Sequence, residues 1–289
     1  SAAAAAPLGD ALVSVSGSVS IDGLNALLPS CLPMARCAVA SGGNAIVQVP
    51  CARWDSQPVF SEPIASRVRH GGFLHGAQLA DNAAFAVSPA EAAAMDPCQR
   101  LLLERGYAAL HAAALDRAAL GGSLTGVFLG FAGTEFAQVL AASPAGGSVY
   151  AATGSSASIA AGRLSYTLGL HGPCVSYDTA CSAALVAGHA GLRALQLAEC
   201  NIGLVAGVTL VLAPGISTSF AVAGMTSARG RSHTFDARAD GYARGEACGS
   251  VALCHGDGVL GLLGSAVRQD GRSASLTAPN GQAQQGLLV

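Results

Sequence analysis

Strand-like segments alternate with segments of helical pattern through the middle of the chain. Residues 125–131 and 202–212 are short, nearly continuous apolar runs, and residues 174–180 are rich in strand-forming types. Residues 155–168 and 181–199 carry small and apolar side chains at helical spacing. This alternation predicts an α/β fold in which helices cover both faces of a sheet.

Two helix starts precede the first of these strands. Ser88 and Asp96 are favourable N-cap residues, and each is followed by a proline at the first helical position. Glu91 lies three residues after Ser88, the spacing of a capping box. The second helix is predicted to continue to residue 115.

A hairpin is predicted near the end of the chain. Residues 248–254 and 259–267 are strand-like, and Asp257-Gly258 between them is a common hairpin turn. The other predicted segments are strands at residues 11–20 and 44–49 and loops at residues 53–69, 132–150 and 225–235.

The small number of charges limits the kinds of partner. Charged residues make up 11% of the chain and the net charge is −2, so neither nucleic-acid binding nor attraction to an anionic membrane is predicted. The uncharged stretch 201–228 has too short an apolar part to cross a bilayer, and no membrane span is predicted. All 15 basic residues are arginine, which excludes catalysis by a lysine of this sequence.

The cysteines and histidines do not have the spacing of a metal site. Nine cysteines occur without a Cys-x-x-Cys pair or a secretory signal, and seven histidines lack a ligand-like repeat. No metal and no bound cofactor are therefore predicted. The odd number of cysteines favours the cytoplasm or another reducing compartment, with a plastid left open.

One cysteine lies where a predicted strand meets a predicted helix. Unpaired N–H groups and the positive end of the helix dipole would favour a thiolate at Cys181, and the same N–H groups would hold a developing oxyanion. Cys181 is therefore a candidate nucleophile for acyl transfer through a thioester. The alternative is a buried cysteine that packs as a small apolar side chain.

A base for Cys181 is not evident from the spacing of the histidines. His189 is eight residues further along the same predicted helix, roughly 12 Å at the helical rise, which is beyond hydrogen-bond reach. We interpret His189 as a packed or surface residue, and His233 as solvated in a polar loop.

A second feature is the one dense cluster of charges. It consists of Asp236, Asp240, Arg244 and Glu246. We predict a paired network that fixes loops, and a catalytic carboxylate is the alternative.

Several motifs together resemble the β-ketoacyl synthases, and especially the ketosynthase domains of modular type I polyketide synthases. The segment Asp178-Thr-Ala-Cys-Ser-Ala-Ala-Leu185 resembles the active-site segment of that family. Other segments resemble the family in the same order: Met95-Asp-Pro-Cys-Gln-Arg-Leu-Leu-Leu-Glu104, Ala160-Ala-Gly-Arg-Leu-Ser-Tyr166, Gly224-Met-Thr-Ser227, residues 234–249, residues 264–272 and Leu276-Thr-Ala-Pro-Asn-Gly281. The resemblance covers residues 71–289, and residues 1–70 are interpreted as a poorly matched N-terminal segment of the same domain.

The resemblance implies a thiolase-like fold, mostly its first, nucleophile-bearing half. It implies that Cys181 accepts an acyl group, with a backbone N–H as oxyanion donor, and that a malonyl-derived extender then condenses with the thioester by a decarboxylative Claisen reaction of polyketide or fatty-acid type. The substrates would be carried on the phosphopantetheine of an acyl carrier protein. The other implied partners are a second copy, paired through strands near the nucleophile, and further polyketide synthase domains.

Parts of the family pattern are not found in these 289 residues. Two catalytic histidines, a helper lysine and a glycine-rich oxyanion loop follow residues 276–281 in the family. We therefore expect a nucleophile half whose C-terminal half is missing and which is inactive in condensation alone. The alternatives are a non-catalytic remnant that acts as a scaffold and a thiolase-type acyl transferase.

Overall fold

The computed structural model describes residues 17–29, 42–54, 60–133 and 135–288, which form nine strands and ten α-helices. The strands along these residues are β1 (Val19–Leu27), β2 (Ile46–Gln48), β3 (His70–Gly72), β4 (Thr125–Gly130), β5 (Cys174–Tyr177), β6 (Ile202–Thr209), β7 (Arg244–Gly245), β8 (Ala247–His255) and β9 (Leu260–Gly261). The helices are α1 (Ile64–Val68), α2 (Pro89–Ala94), α3 (Pro97–Ala112), α4 (Arg117–Leu120), α5 (Glu135–Ala141), α6 (Ala151–Gly154), α7 (Ala157–Leu168), α8 (Ala183–Gln196), α9 (Pro214–Val222) and α10 (Gly281–Leu288).

The central sheet is mixed and has six strands in the order β5-β4-β6-β8-β1-β9. Strand β4 is parallel to both β5 and β6, whereas β8 is antiparallel to its neighbours β6 and β1. The carboxyl ends of β4, β5 and β6 therefore share one edge, and the chain enters β8 at that same edge. A smaller sheet has the order β2-β3-β7.

Helices cover both faces of the central sheet, as the alternating sequence predicts. Leu129 and Leu204 point to the face covered by α3 and α7, whereas Phe128 and Val205 point to the opposite face, covered by α8. Successive residues of one strand thus enter two different cores, which explains why these strands are apolar throughout.

Helix α3 lies directly on the sheet because a strand residue beneath it has no side chain. A Cβ at Gly23 would lie 1.9 Å from the carbonyl oxygen of Ala109 in α3. The β1–β8 register also shifts between Ile21 and Gly23. Strand β1 is therefore packed into the same core as the later elements.

Most of the predicted elements are confirmed, with shifted ends. The predicted N-caps accept as expected: Ser88 Oγ from Glu91 N at 3.2 Å and Asp96 Oδ1 from Cys98 N at 2.7 Å. The Glu91 carboxylate does not complete the capping box but pairs with Arg163. The strand predicted at residues 44–49 is β2, and the part of the strand 11–20 before residue 17 lies outside the described residues.

The predicted hairpin across Asp257-Gly258 is wrong. Strands β8 and β9 do not pair with each other, because β1 lies between them and pairs with both. Gly258 instead passes so close to Asp22 of β1 that a Cβ would lie 1.6 Å from the Asp22 carboxylate oxygen. A local turn signal could not reveal a strand that arrives from more than two hundred residues away.

Six helices lie where no helix was predicted. Helices α4, α6 and α10 lie in stretches for which no element was predicted. Helix α1 lies in the predicted loop 53–69 and α5 in the predicted loop 132–150. Helix α9 lies in the uncharged stretch 201–228, where only a strand was expected. These helices are short, and helices of that length depend on tertiary packing more than on local propensity. The loop at residues 225–235 is confirmed.

Candidate active site

Cys181 lies on a tight turn between β5 and α8. The turn is a single 3₁₀ segment, Ala180–Ser182, and α8 begins at Ala183. The predicted strand 174–180 is thus three residues too long, and the predicted start of the helix at residue 181 is wrong by two residues. Ala180 has a φ of 54°, which is unfavourable for a residue with a Cβ. Backbone strain of this kind is concentrated at functional sites.

The polar residues around Cys181 stabilise this turn. Asp178 Oδ1 accepts from Ala180 N at 3.1 Å. Ser182 Oγ donates to the carbonyl oxygen of Thr179 at 2.8 Å and lies 2.9 Å from Thr179 Oγ1. These hydrogen bonds hold the strained residue in place, which gives the polar residues of the motif a physical role.

Small residues let the start of α8 approach the sheet. A Cβ at Gly130, the last residue of β4, would lie 2.4 Å from Ala184 N, and one at Gly207 of β6 would lie 2.8 Å from the Ala184 Cβ. The helix that follows Cys181 therefore rests on the backbones of two strands. This contact fixes the height of the turn above the carboxyl ends of β4 and β6.

The Cys181 side chain is exposed, so the alternative of a buried core cysteine is wrong. Leu185, one turn further along α8, is 79% exposed. An exposed apolar side chain in the first turn of the helix that follows the thiol suits an acyl chain better than a charged substrate.

The histidines are all among the described residues, and none of them hydrogen-bonds with Cys181. His189 Nδ1 lies 2.8 Å from Ser265 Oγ, which agrees with the predicted packing role. His233 is less solvated than predicted, since its Nδ1 is buried and has no hydrogen-bond partner. The geometry of the described residues therefore provides a candidate nucleophile and no histidine base hydrogen-bonded to it.

The predicted charge cluster is a set of ion pairs, as expected, but the buried pairs reach outside the cluster. Glu246 Oε2 lies 2.8 Å from Arg53 Nη2, and Arg244 Nη2 lies 2.8 Å from Glu135 Oε1. Asp236, which pairs with Arg238, lies outside this buried network.

These two buried carboxylates hold the backbone that follows β6. Glu246 Oε1 accepts from Val211 N at 2.9 Å. Glu135 Oε2 accepts from Leu212 N at 2.6 Å and from Ala213 N at 3.0 Å. Three successive N–H groups at the carboxyl edge of the sheet are thereby satisfied by side chains from distant parts of the chain.

Two residues near this site were not predicted from the sequence. Glu135 lies in the segment predicted as a loop. Tyr242 is in the charged segment 236–246. Burial raises the pKa of Tyr242, the Arg244 guanidinium opposes this shift, and negative charge on Cys181 adds to it. The sequence feature that could have drawn attention to Tyr242 is its two-residue spacing from Arg244, which places both side chains on one side of an extended chain.

Within the part of the chain that the structure describes, no group of His, Cys, Asp and Glu side chains is arranged to hold a metal ion. No described helix is long and apolar enough to cross a membrane.

We expect Cys181 to be the most readily alkylated cysteine. Among the described cysteines, only Cys51 and Cys174 are similarly exposed. Burial raises the pKa of the Cys248 thiol to about 12 and of the Cys254 thiol to about 11, so these two carry almost no thiolate near pH 8. Limited iodoacetamide treatment followed by peptide mapping measures the order.

Exposure alone would label Cys51, Cys174 and Cys181 equally, and only the helix-end position of Cys181 distinguishes it. Cys51 is therefore the internal control, because Cys174 lies on the edge strand β5, where a second copy is expected to pair. Equal or preferential labelling of Cys51, or of Cys31 and Cys37, which lie outside the described residues, would contradict the prediction.

Comparisons with known proteins show which family model, relatives and solved structures this chain resembles. Residues 18–257 match the family model described as "Beta-ketoacyl synthase, N-terminal domain". The chain is similar to the spectinabilin polyketide synthase system protein NorC of Streptomyces orinoci, with 44% identity over 263 residues, which are 86% of this chain and 12% of that protein. It is also 44% identical over 263 residues to the polyketide synthase GfsB of Streptomyces halstedii, across 86% of this chain and 5% of the relative. The chain therefore spans only a small part of the length of these relatives.

Solved ketosynthase structures have a similar fold. The ketosynthase from module 6 of the bacillaene synthase of Bacillus subtilis 168 matches with a TM-score of 0.85 and 30% identity, over 94% of this chain and 47% of that one. The oxazolomycin ketosynthase domain OzmH KS7 of Streptomyces albus matches with a TM-score of 0.84 and 28% identity, over 94% and 50%. The chain thus spans about half of these structures, and the predicted thiolase-like α/β fold is confirmed.

Proposed function

Because the chain belongs to the β-ketoacyl synthase family, which it matches in that family's N-terminal domain, we propose that Cys181 accepts the acyl group in a polyketide synthase ketosynthase reaction. The observation that carries this proposal is the exposed thiol on a strained turn at the carboxyl edge of three parallel strands. Ligands and substrates of open α/β sheets bind at that edge.

The first step is transfer of an acyl group from one thiol to another. The Cys181 thiolate attacks the carbonyl carbon of an acyl thioester carried on the phosphopantetheine of an acyl carrier protein. The bond from that carbon to the carrier sulfur breaks, and the carrier thiol takes up the proton that Cys181 has lost. The backbone N–H of Cys181 is the proposed donor to the oxyanion.

The second step forms the carbon–carbon bond. A carrier-bound malonyl group loses CO₂, and the resulting enolate carbon attacks the acyl carbonyl on Cys181. The carbon–sulfur bond breaks, Cys181 leaves as a thiolate, and the chain is two carbons longer. The negative charge that develops on the enolate needs donors that the described residues do not place in contact with Cys181.

We propose that these 289 residues carry out the first step and not the second, and an experiment can test each step separately. A polypeptide of these 289 residues should form an acyl-enzyme with butyryl-N-acetylcysteamine, visible as a mass increase on Cys181. It should not release CO₂ from malonyl carrier protein, because none of its seven histidines hydrogen-bonds with Cys181. Clear decarboxylation would contradict the second part. Absence of the acyl-enzyme would contradict the first part and favour a non-catalytic scaffold.

The N-terminal segment and the rest of the chain are proposed to be one domain. Strand β1 pairs with β8 over eight residue pairs and with β9, and it packs against α3. The proposed partners are an acyl carrier protein, other polyketide synthase domains and a second copy of this chain, in the cytoplasm or another reducing compartment.

A second copy is proposed to pair through β5, which is an edge strand of the central sheet. Val127 N donates to the Pro173 oxygen at 2.7 Å and Phe131 N to the Tyr177 oxygen at 3.0 Å. Alternate residues of β5 therefore bond to β4, and the backbone groups of Cys174 and Ser176 face away from it. An open edge of this kind is a template for another strand.

Cys174→Pro is expected to convert the dimer to a monomer with little loss of stability. The substitution removes one N–H donor from the free edge, and the bonds between β5 and β4 stay intact. Sedimentation velocity and thermal unfolding of this variant and of Cys174→Ala measure the effect. The alanine variant keeps the N–H and should remain a dimer. A dimer that survives Cys174→Pro would place the interface elsewhere.

A further inference from the structure

We propose that the Glu135 carboxylate is a positioning residue that holds the carboxyl ends of β4 and β6 together and so fixes the Cys181 turn for acyl transfer. This inference rests on the proposed function and extends it to a residue that does not itself exchange the acyl group. Three observations support it: the contact of α8 with both strands, the hydrogen bonds of Glu135, and a second buried carboxylate that lacks the same bonds.

The start of α8 rests on β4 and β6 at a single pair of residues. Gly130 and Gly207 are the last paired residues of these two strands. A Cβ at Gly130 would lie 2.4 Å from Ala184 N, and one at Gly207 would lie 2.8 Å from the Ala184 Cβ. Ala184 follows Cys181 by three residues, so a shift of either strand end is passed directly to the nucleophile turn.

Glu135 joins the two segments that continue from this pair. It lies five residues after Gly130, at the start of α5, and its Oε2 accepts from Leu212 N at 2.6 Å and from Ala213 N at 3.0 Å. Leu212 likewise lies five residues after Gly207. These two hydrogen bonds, named here the β4–β6 link, close a ring of backbone that begins at the Gly130–Gly207 pair. Movement of one strand end against the other would stretch them.

The β4–β6 link is buried, and the charge of its carboxylate is balanced. The Glu135 side chain is 6% exposed, and its Oε1 lies 2.8 Å from Arg244 Nη2. Arg244 Nη1 in turn donates to Ser217 Oγ of α9 at 2.6 Å. Hydrogen bonds to an ionised acceptor are stronger than neutral ones, and solvent competes little with them when they are buried. The link therefore keeps a fixed spacing, which acyl transfer requires of its reacting group.

Glu246 provides a matched control in the same chain. Its side chain is fully buried, its Oε2 lies 2.8 Å from Arg53 Nη2, and its Oε1 accepts from Val211 N in the same loop as Leu212. Its Oε2 also accepts from Leu74 N, which follows β3 in the smaller sheet rather than β4. Removal of the Glu246 carboxylate thus leaves an arginine and backbone donors without partners, but the β4–β6 link stays intact.

The experiment compares single-turnover acylation of Cys181 by butyryl-N-acetylcysteamine in the full chain, with rates expressed per folded molecule from circular dichroism. We expect Glu135→Ala to lower the limiting rate about tenfold with an unchanged half-saturating concentration, since misplacement of a reacting group costs rate rather than affinity. Glu246→Ala should stay within about twofold of wild type, although its thermal midpoint falls. Glu135→Gln keeps an oxygen acceptor for Leu212 N and should restore the rate to within about threefold of wild type.

Equal losses of rate in Glu135→Ala and Glu246→Ala, or a changed half-saturating concentration at an unchanged limiting rate, would overturn the inference. If Glu246→Ala fails to fold, Glu246→Gln replaces it. If Glu135→Ala fails to fold, Glu135→Met combined with Arg244→Met replaces it, because apolar residues often substitute for a buried ion pair without loss of stability. That double variant also removes the acceptor of Leu212 N and Ala213 N, so the same loss of about tenfold is expected. Failure of wild type to form the acyl-enzyme would instead refute the proposed function, so the two failures are distinguishable.

Discussion

Replacing Cys181 with alanine is expected to abolish acyl-enzyme formation, a loss on the order of 10⁶-fold, as for other catalytic nucleophiles. The thiol is exposed, and the turn that carries it is held by Asp178, Thr179 and Ser182 rather than by the cysteine side chain. Removing the sulfur should therefore leave the fold intact. Intact-mass analysis after incubation with butyryl-N-acetylcysteamine measures the acyl adduct.

Two matched variants separate the chemistry from general thiol reactivity. Cys174→Ala removes another exposed thiol and should acylate as wild type does. Cys181→Ser keeps a nucleophilic oxygen of similar size, but a serine hydroxyl without an adjacent base is a poor nucleophile, and it should fail as alanine does. An adduct that persists in Cys181→Ala would assign the acyl group to a different cysteine.

The sequence is sufficient to predict the parts of this site that depend on local pattern. Strand-forming residues before Cys181 and a helical stripe after it place the thiol at a strand-to-helix junction, where the structure has it. The detail of that junction was not predictable, because the positive φ of Ala180 depends on hydrogen bonds from Asp178 and on the close approach of α8 to Gly130.

Contacts between distant segments explain what the sequence did not reveal. Glu135 is in a segment of small residues that has the pattern of a loop, yet α5 forms because Phe136 and Leu140 pack against Ala94 and its neighbours. Its partner Arg244 lies 109 residues away. Pairing of β1 with β8 is similarly non-local, which is why the Asp257-Gly258 signal gave the wrong neighbour.

Glu246→Ala is expected to lower the free energy of unfolding by about 3–5 kcal/mol, the range for breaking one side of a buried ion pair. The Glu246 side chain is fully buried, and it satisfies the Arg53 guanidinium, Leu74 N and Val211 N. Removal leaves one buried charge and two backbone donors without partners. Urea-induced unfolding followed by circular dichroism measures the change.

The control is a solvent-exposed ion pair in the same chain. Glu62 lies 3.7 Å from Arg69, and the two side chains are 63% and 48% exposed, so Glu62→Ala should cost less than about 1 kcal/mol. Glu246→Gln should fall between the two, because it keeps acceptor capacity and loses the charge that balances Arg53. A Glu246→Ala midpoint no lower than that of Glu62→Ala would mean that apolar packing alone holds the loops at Leu74 and Val211, and the carboxyl edge would then not depend on its buried charges.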